Sequence, residues 1–300
     1  MPVSPRRYDL LGSRLRAFTR ALPRIKSGDA RAVGRAWTAS RRLRELLPVL
    51  QLDGPTAEKL TVRIRRVTRR LRDVRQSDVL LALLDELDAT DRRGRLARGR
   101  VRDDVQRLSE RARAELFRRK IGNDVRRLSE KLASVLKALS VEKDDPARTR
   151  GLDWAAKARA ARRATDLKDA MNSAGAVYLP ARLDAVRASL SKLRYGAELA
   201  SEAGGSVAAG DVRMLARVQT LLGRLDESQK LIDRARHVQG SLATPDLKAW
   251  RDLDSLIVSL ENRCRGLHAR YVRERSALVA LCDRLVARSP VDRSVKRKVG

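Results

Sequence analysis

Apolar residues recur at three- and four-residue spacing along almost the whole chain, and the alternating runs that would mark strands are rare. The spacing predicts helices at about 6–22, 29–47, 55–88, 91–139, 152–173, 178–203, 209–238 and 245–288. Several ends carry matching chemistry. Asp29 is placed to cap the second helix and Pro48 to stop it. Thr244-Pro245 reads as a cap followed by proline at the first helical position, with Asp246 favouring the dipole. Ser289-Pro290 is placed to close the last helix, and Gly122-Asn123 to break the fourth segment. In the last helix Trp250, Leu253, Leu256, Ile257, Leu260, Cys264, Leu267, Tyr271, Leu278, Leu281 and Leu285 share one stripe, which is expected to be core.

The helices come in two similar sets. Ser40-Arg41-Arg42-Leu43-Arg44-Glu45-Leu46 resembles Leu190-Ser191-Lys192-Leu193-Arg194-Tyr195 at an offset of 150. Arg70-Leu71-Arg72-Asp73-Val74-Arg75 resembles Leu222-Gly223-Arg224-Leu225 at an offset near 151. Similarities at nearly one offset, in helices of the same rank, indicate a duplicated four-helix unit. The polar run Glu142-Lys143-Asp144-Asp145, ended by Pro146, marks the expected boundary. The expected organisation is a repeat over 1–145, a second over 146–288 and a basic tail over 289–300.

Composition sharpens this. Apolar content of 43% is that of a folded protein, and aromatics at 3% argue against sandwiches and barrels. The two cysteines, Cys264 and Cys282, would lie roughly 27 Å apart along one helix, too far for a disulfide, and are expected to be buried. No stretch of 18 apolar residues occurs and the first residues carry no signal-peptide core, so a cytoplasmic address and no transmembrane segment are expected.

Charge changes the picture most. There are 67 Lys and Arg against 37 Asp and Glu, a formal net charge of +30, spread through the helical segments. A folded chain this basic repels itself unless a polyanion or anionic surface meets it. Nucleic acid, an acidic membrane and a linear phosphate polymer are the candidates.

Particular residues carry a resemblance. Positions 34 to 44 are similar to a signature of the form HxxRxxxRRLR, of which Arg41-Arg42-Leu43-Arg44 keeps the second half. Leu71-Arg72-Asp73-Val74-Arg75-Gln76-Ser77-Asp78-Val79 resembles an LGxxRDxDV element. Arg187 with Lys192-Leu193-Arg194-Tyr195-Gly196-Ala197-Glu198 resembles RxxxKKLRYxxE, and Gln219 to Glu227 resembles LQxxLGxLxD. These patterns are those of the CHAD (conserved histidine α-helical domain) family, and the similarity covers about 20 to 288. Gly34 and Asp184 stand where the signature histidines would be, and Trp37 where the first arginine would be. The resemblance implies an all-α fold of duplicated antiparallel four-helix bundles with pseudo-two-fold symmetry. It also implies binding of inorganic polyphosphate in a central basic groove, and association with polyphosphate granules.

Steps of +3, +4 and +3 put positions 34, 37, 41 and 44 on one helix face and 184, 187, 191 and 194 on another. Arginines on such faces offer permanently charged planar forks for phosphate oxygens. The candidate polyanion-binding residues are Arg41, Arg42, Arg44, Arg65, Arg69, Arg187, Lys192 and Arg194. Trp37 and Tyr195 are expected to pack, Asp184 to pair with Arg187, and Asp73 and Asp78 to anchor arginines. His237 and His268 are read as surface or packing residues. With no histidine at the signature positions, binding should vary little with pH between 6 and 7.

No phosphate loop, GxSxG, HExxH or CxxC occurs, so a binding module without catalytic residues, metal or cofactor is expected. Non-specific nucleic-acid binding is the rival, because counterion release drives any polycation onto a duplex. A narrow concavity fed by both repeats would favour polyphosphate; a convex basic face about 20 Å across would favour a duplex.

Overall fold

The computed structural model of the chain describes residues 7–25, 29–87, 92–141, 146–242 and 246–288. Helices α1 (Arg7–Thr19), α2 (Leu22–Ile25), α3 (Ala30–Leu46), α4 (Gly54–Glu86), α5 (Arg92–Arg118) and α6 (Ile121–Val141) make the first half. Helices α7 (Pro146–Ala174), α8 (Pro180–Gly204), α9 (Ala209–Gly240) and α10 (Leu247–Ala287) make the second. No strand occurs among the described residues. The architecture is all-α, two sets of antiparallel helices related by the repeat.

Local chemistry sets the ends. Asp29 accepts from the amides of Arg31 and Ala32, and Asp53 from that of Thr56. The left-handed Gly205 (φ 64°) ends α8, its N–H donating to the Ser201 carbonyl. Two expected ends differ. Asp246 itself caps α10 by accepting from the Ala249 amide, while Thr244 and Pro245 lie outside the described residues. The fourth segment breaks at Arg119-Lys120, not at Gly122-Asn123, which sit inside α6. Lys120 takes the left-handed conformation (φ 49°), and the carbonyl of Arg119 is held by the Arg70 guanidinium at 2.7 Å. A side chain from another helix, not a glycine, fixes this break.

Burial follows the repeat. On α4 and α9 the buried positions Ile64, Val67, Leu71, Val74, Ser77 and Leu80 correspond at an offset of 151 to Leu215, Val218, Leu222, Leu225, Ser228 and Leu231. On α3 and α8, Val33, Ala36, Ser40 and Leu43 correspond at 150 to Leu183, Val186, Leu190 and Leu193. The apolar core runs through both halves: one cluster joins Phe18, Leu43 and Leu71 to Leu190, Leu193 and Leu278. The other joins Leu83, Leu84, Val101 and Val105 to Leu231, Ile232, Leu253 and Leu260. Buried Glu45 on α3 is clamped by Arg159 (2.9 Å) and Arg163 (3.2 Å) of α7, a charged tie between the halves. The expected boundary residues 142–145 and the tail 289–300 lie outside the described residues.

On α10 the expected stripe is buried from Leu253 to Leu285 apart from partly exposed Leu256 and Leu267, but Trp250 is 48% exposed. It lies in the first turn, where Ala249 and not Trp250 takes the buried position. Cys264 and Cys282 are both buried free thiols.

Candidate polyanion-binding groove

Four helices wall a groove of about 810 Å³: α3 and α4 from the first half, α8 and α9 from the second. The reason lies in the helix faces. With Val33, Ala36 and Leu43 turned to the core, Trp37 and Arg41 are left on the flank of α3. Burial of Leu183, Val186 and Leu190 likewise leaves Asp184, Arg187 and Arg194 on the flank of α8. Helix α4 adds Arg72, Arg75 and Gln76, and α9 adds Gln219, Arg224, Asp226, Glu227 and Lys230. Seven cationic side chains face four carboxylates here, so the groove carries a positive excess.

Its cations are of two kinds. Most are matched to acids: Arg187 to Asp184 (3.1 Å) and Asp226 (3.6 Å), Lys230 to Asp226 (2.9 Å), and Arg224 to Glu86 (2.7 Å). Arg194 bonds Glu198 at 3.0 Å and the Gln219 side-chain oxygen at 3.1 Å. Arg41 and Arg75 are different. Among the described residues neither is in an ion pair, and each instead lies over the Trp37 ring, at 4.6 and 4.4 Å from its centroid. Tyr195, 4% exposed, forms a second platform, with Arg41, Arg42 and Arg194 at 5.6, 5.8 and 5.5 Å from its ring.

This arrangement stores electrostatic tension. Burial holds Arg41 below the usual guanidinium range; Arg44, Arg187 and Arg75 push it the same way, against the Tyr195 oxygen. Burial likewise lowers Arg75, opposed chiefly by Glu227. Both remain charged at any physiological pH. Burial raises the Glu227 carboxyl above the ordinary range, against the pull of Arg224 and Arg75. The Ser191 hydroxyl, on the same wall, is buried without a partner.

The structure sorts the sequence candidates. Arg41, Arg187 and Arg194 line the groove. Arg42 is not in its wall; it bonds Glu198 at 2.9 Å, so that one carboxylate ties α3 to α8 by holding both Arg42 and Arg194. Arg44 and Lys192 are also outside the lining; Arg44 lies close enough to Glu45, Arg65 and Arg163 to feel their charges. Arg65 and Arg69 do not line this groove. They lie in another, of about 650 Å³, between α4 and α5. The face of α4 that meets the central groove holds 72, 75, 76 and 79; it continues the line of 65, 69 and 72 further along the helix, past the point where Arg65 and Arg69 could reach it.

Sequence reasoning missed Arg75, Arg72, Arg224 and Lys230. The available signal for Arg75 was its place in the Leu71–Val79 element, one turn after Arg72. Asp184 pairs with Arg187 as expected, and Asp78 anchors Arg113. Asp73 anchors nothing: it is exposed, and its contact with neighbouring Arg72 is 4.0 Å. His237 is exposed, and His268 packs on Tyr178 with ring centroids 5.3 Å apart.

The helical repeat and the cationic groove between its halves define the class of this molecule. The CHAD domain profile matches residues 9–236, and the chain belongs to the CHAD domain family. Among solved structures it is similar to PptA from Streptomyces chartreusis, with a TM-score of 0.64 and 19% identity over 90% of this chain and 98% of that one. It is also similar to the CHAD domain from the plant Ricinus communis, with a TM-score of 0.58 and 20% identity over 97% of this chain and 95% of that one. At such identity the likeness concerns the fold. No curated protein matches the chain. No helix among the described residues is long and apolar enough to cross a membrane.

Proposed function

We propose that the chain binds inorganic polyphosphate, non-catalytically, in the groove between its two halves. The carrying observation is the pair of guanidiniums, Arg41 and Arg75, half-buried over Trp37 and in no ion pair among the described residues. Holding two partly desolvated like charges without a directly paired acid is costly, and a ligand with closely spaced anionic oxygens removes the cost. Arg187 and Arg194, already turned into the groove by their acids, add forks from the other half. Such a site would place the protein where the polymer accumulates, on polyphosphate granules in the cytoplasm.

A walled groove supports a thin polymer over a duplex, whose 20 Å width suits an open face. The small aromatic complement of the groove, Trp37, already covered by two arginines, offers no free platform for stacked bases. The test is competition at physiological salt. Labelled polyphosphate on the purified protein should survive excess duplex DNA and tRNA at equal phosphate concentration, and Arg41→Gln with Arg75→Gln should release it. Displacement by nucleic acid, or indifference to the two substitutions, would sink the proposal.

A further inference from the structure

The second groove, between α4 and α5, is the more one-sided of the two in charge. Arg65, Arg66, Arg69, Arg70, Arg72 and Arg119 face only Asp73 and Glu115. Arg70 and Arg119 are committed, to Asp124 and Glu115. Arg65, Arg66 and Arg69 are exposed and in no ion pair among the described residues. Steps of +1 and +3 put these three on adjoining flanks of one helix, where like charges repel. The repeat provides an internal control. At the offset of 151, the α9 positions matching 65, 66, 69 and 72 hold Ala216, Arg217, Thr220 and Gly223, so only one of the four charges is kept. The buried register of the two helices is kept while most of this charge is not. The dense run of arginines is therefore a property of one half.

Its position relative to the central groove is the second observation. Arg72 lines both. Arg44, outside both linings, is close enough to Arg41 and to Arg65 for the charges to be felt. Arg65 and Arg75 are ten residues apart on α4, or about 15 Å along its axis. The two cationic linings thus meet at Arg72. The floor of the second groove is apolar, with Val62, Ala112 and Leu116, so it offers few acceptors to compete for the guanidiniums.

We propose that the second groove extends the first: a long phosphate polymer leaves the central groove over Arg72 and is held between α4 and α5 by Arg65, Arg66 and Arg69. This rests on the central-groove reading and adds a chain-length selectivity to it. The polymer would exit preferentially on this side, because α9 keeps only Arg217 of the matching arginines.

The experiment compares tripolyphosphate with long-chain polyphosphate, at equal phosphate concentration, on the full chain. The triple variant Arg65→Gln, Arg66→Gln, Arg69→Gln should lower the ratio of long-chain to tripolyphosphate affinity about tenfold. It should also reduce the slope of log affinity against log salt for the long polymer by about two. A charge-matched variant, Arg251→Gln, Arg270→Gln, Arg273→Gln on exposed positions of α10, should keep the ratio. An unchanged ratio in the first variant overturns the extension and leaves the central groove standing. An equal fall in both variants also overturns it, since net charge alone would then be at work. Loss of duplex DNA binding with polyphosphate retained would assign the groove to nucleic acid and overturn it too. Failure of either polymer to bind the wild-type chain would instead overturn the central-groove reading.

Discussion

The guanidinium of Arg75 lies 4.4 Å from the centre of the Trp37 ring, and no carboxylate among the described residues pairs with it. Residues 38 positions apart, on α4 and α3, meet through an aromatic face and not through an ion pair. A ring orients a cation without neutralising it, so the charge stays available to a ligand.

Removing that ring should therefore affect binding more than folding. Trp37→Ala is expected to weaken polyphosphate binding about tenfold, the equivalent of about 1–2 kcal/mol of cation–π contact. Trp37→Phe should retain most of the affinity. Titration calorimetry on the two variants reads the difference; equal losses would show that the indole only fills space.

Arg75 and Arg224 line the same groove but differ in pairing, and their substitution should differ accordingly. Arg75→Gln is expected to cost about tenfold in affinity while raising the denaturation midpoint at low salt, because it removes a charge that burial disfavours by more than Glu227 offsets. Arg224→Gln, whose charge is already met by Glu86 at 2.7 Å, should cost less than about threefold. Thermal unfolding and binding on both variants check the opposed signs.

Glu227 makes the groove sensitive to acid. Its carboxyl is raised by burial, so it takes up a proton sooner than an exposed glutamate as pH falls below neutrality. Protonation removes a negative charge from the anion site. Polyphosphate affinity should hold steady between pH 8 and 7 and rise toward pH 5, and Glu227→Gln should remove the rise. A profile of the same shape in the variant would place the effect elsewhere.

The Glu45 clamp is predicted to matter for stability. Glu45 is 4% exposed and faces Arg159 and Arg163, neither of which lines the central groove. Glu45→Ala would leave the partly buried Arg159 guanidinium unmatched and Arg163 with Asp166 alone, at a cost of about 3 kcal/mol. Urea unfolding should show a lowered midpoint. Replacing all three residues with apolar ones of similar size should recover much of the loss.

Periodicity was enough to read the helices, because every long helix buries one continuous stripe; the spans at 29–47, 55–88 and 209–238 match α3, α4 and α9 to within two residues. The break in the fourth segment was harder. Gly122-Asn123 had the chemistry of a helix end, yet Arg70, distant in sequence, selected Lys120. The site was half legible for a similar reason. Arg41, Arg187 and Arg194 followed from spacing and resemblance, since their faces are set by the core side of their own helices. Where along α4 the groove begins depends on how that helix crosses α8 and α9, and spacing within α4 does not contain that crossing. Arg65 and Arg69 were therefore assigned to the groove, and Arg75 was passed over.

The core that runs unbroken through both halves has one more consequence. A polymer seated at their seam would touch α3 and α4 on one side and α8 and α9 on the other, and so would strap together two halves that share their core. At a hundred times its dissociation constant, a ligand held only by the folded chain adds about 2.7 kcal/mol against unfolding. The half-life of the protein before proteases would then follow the cell's phosphate reserve, lengthening when polymer is plentiful and shortening as it is spent.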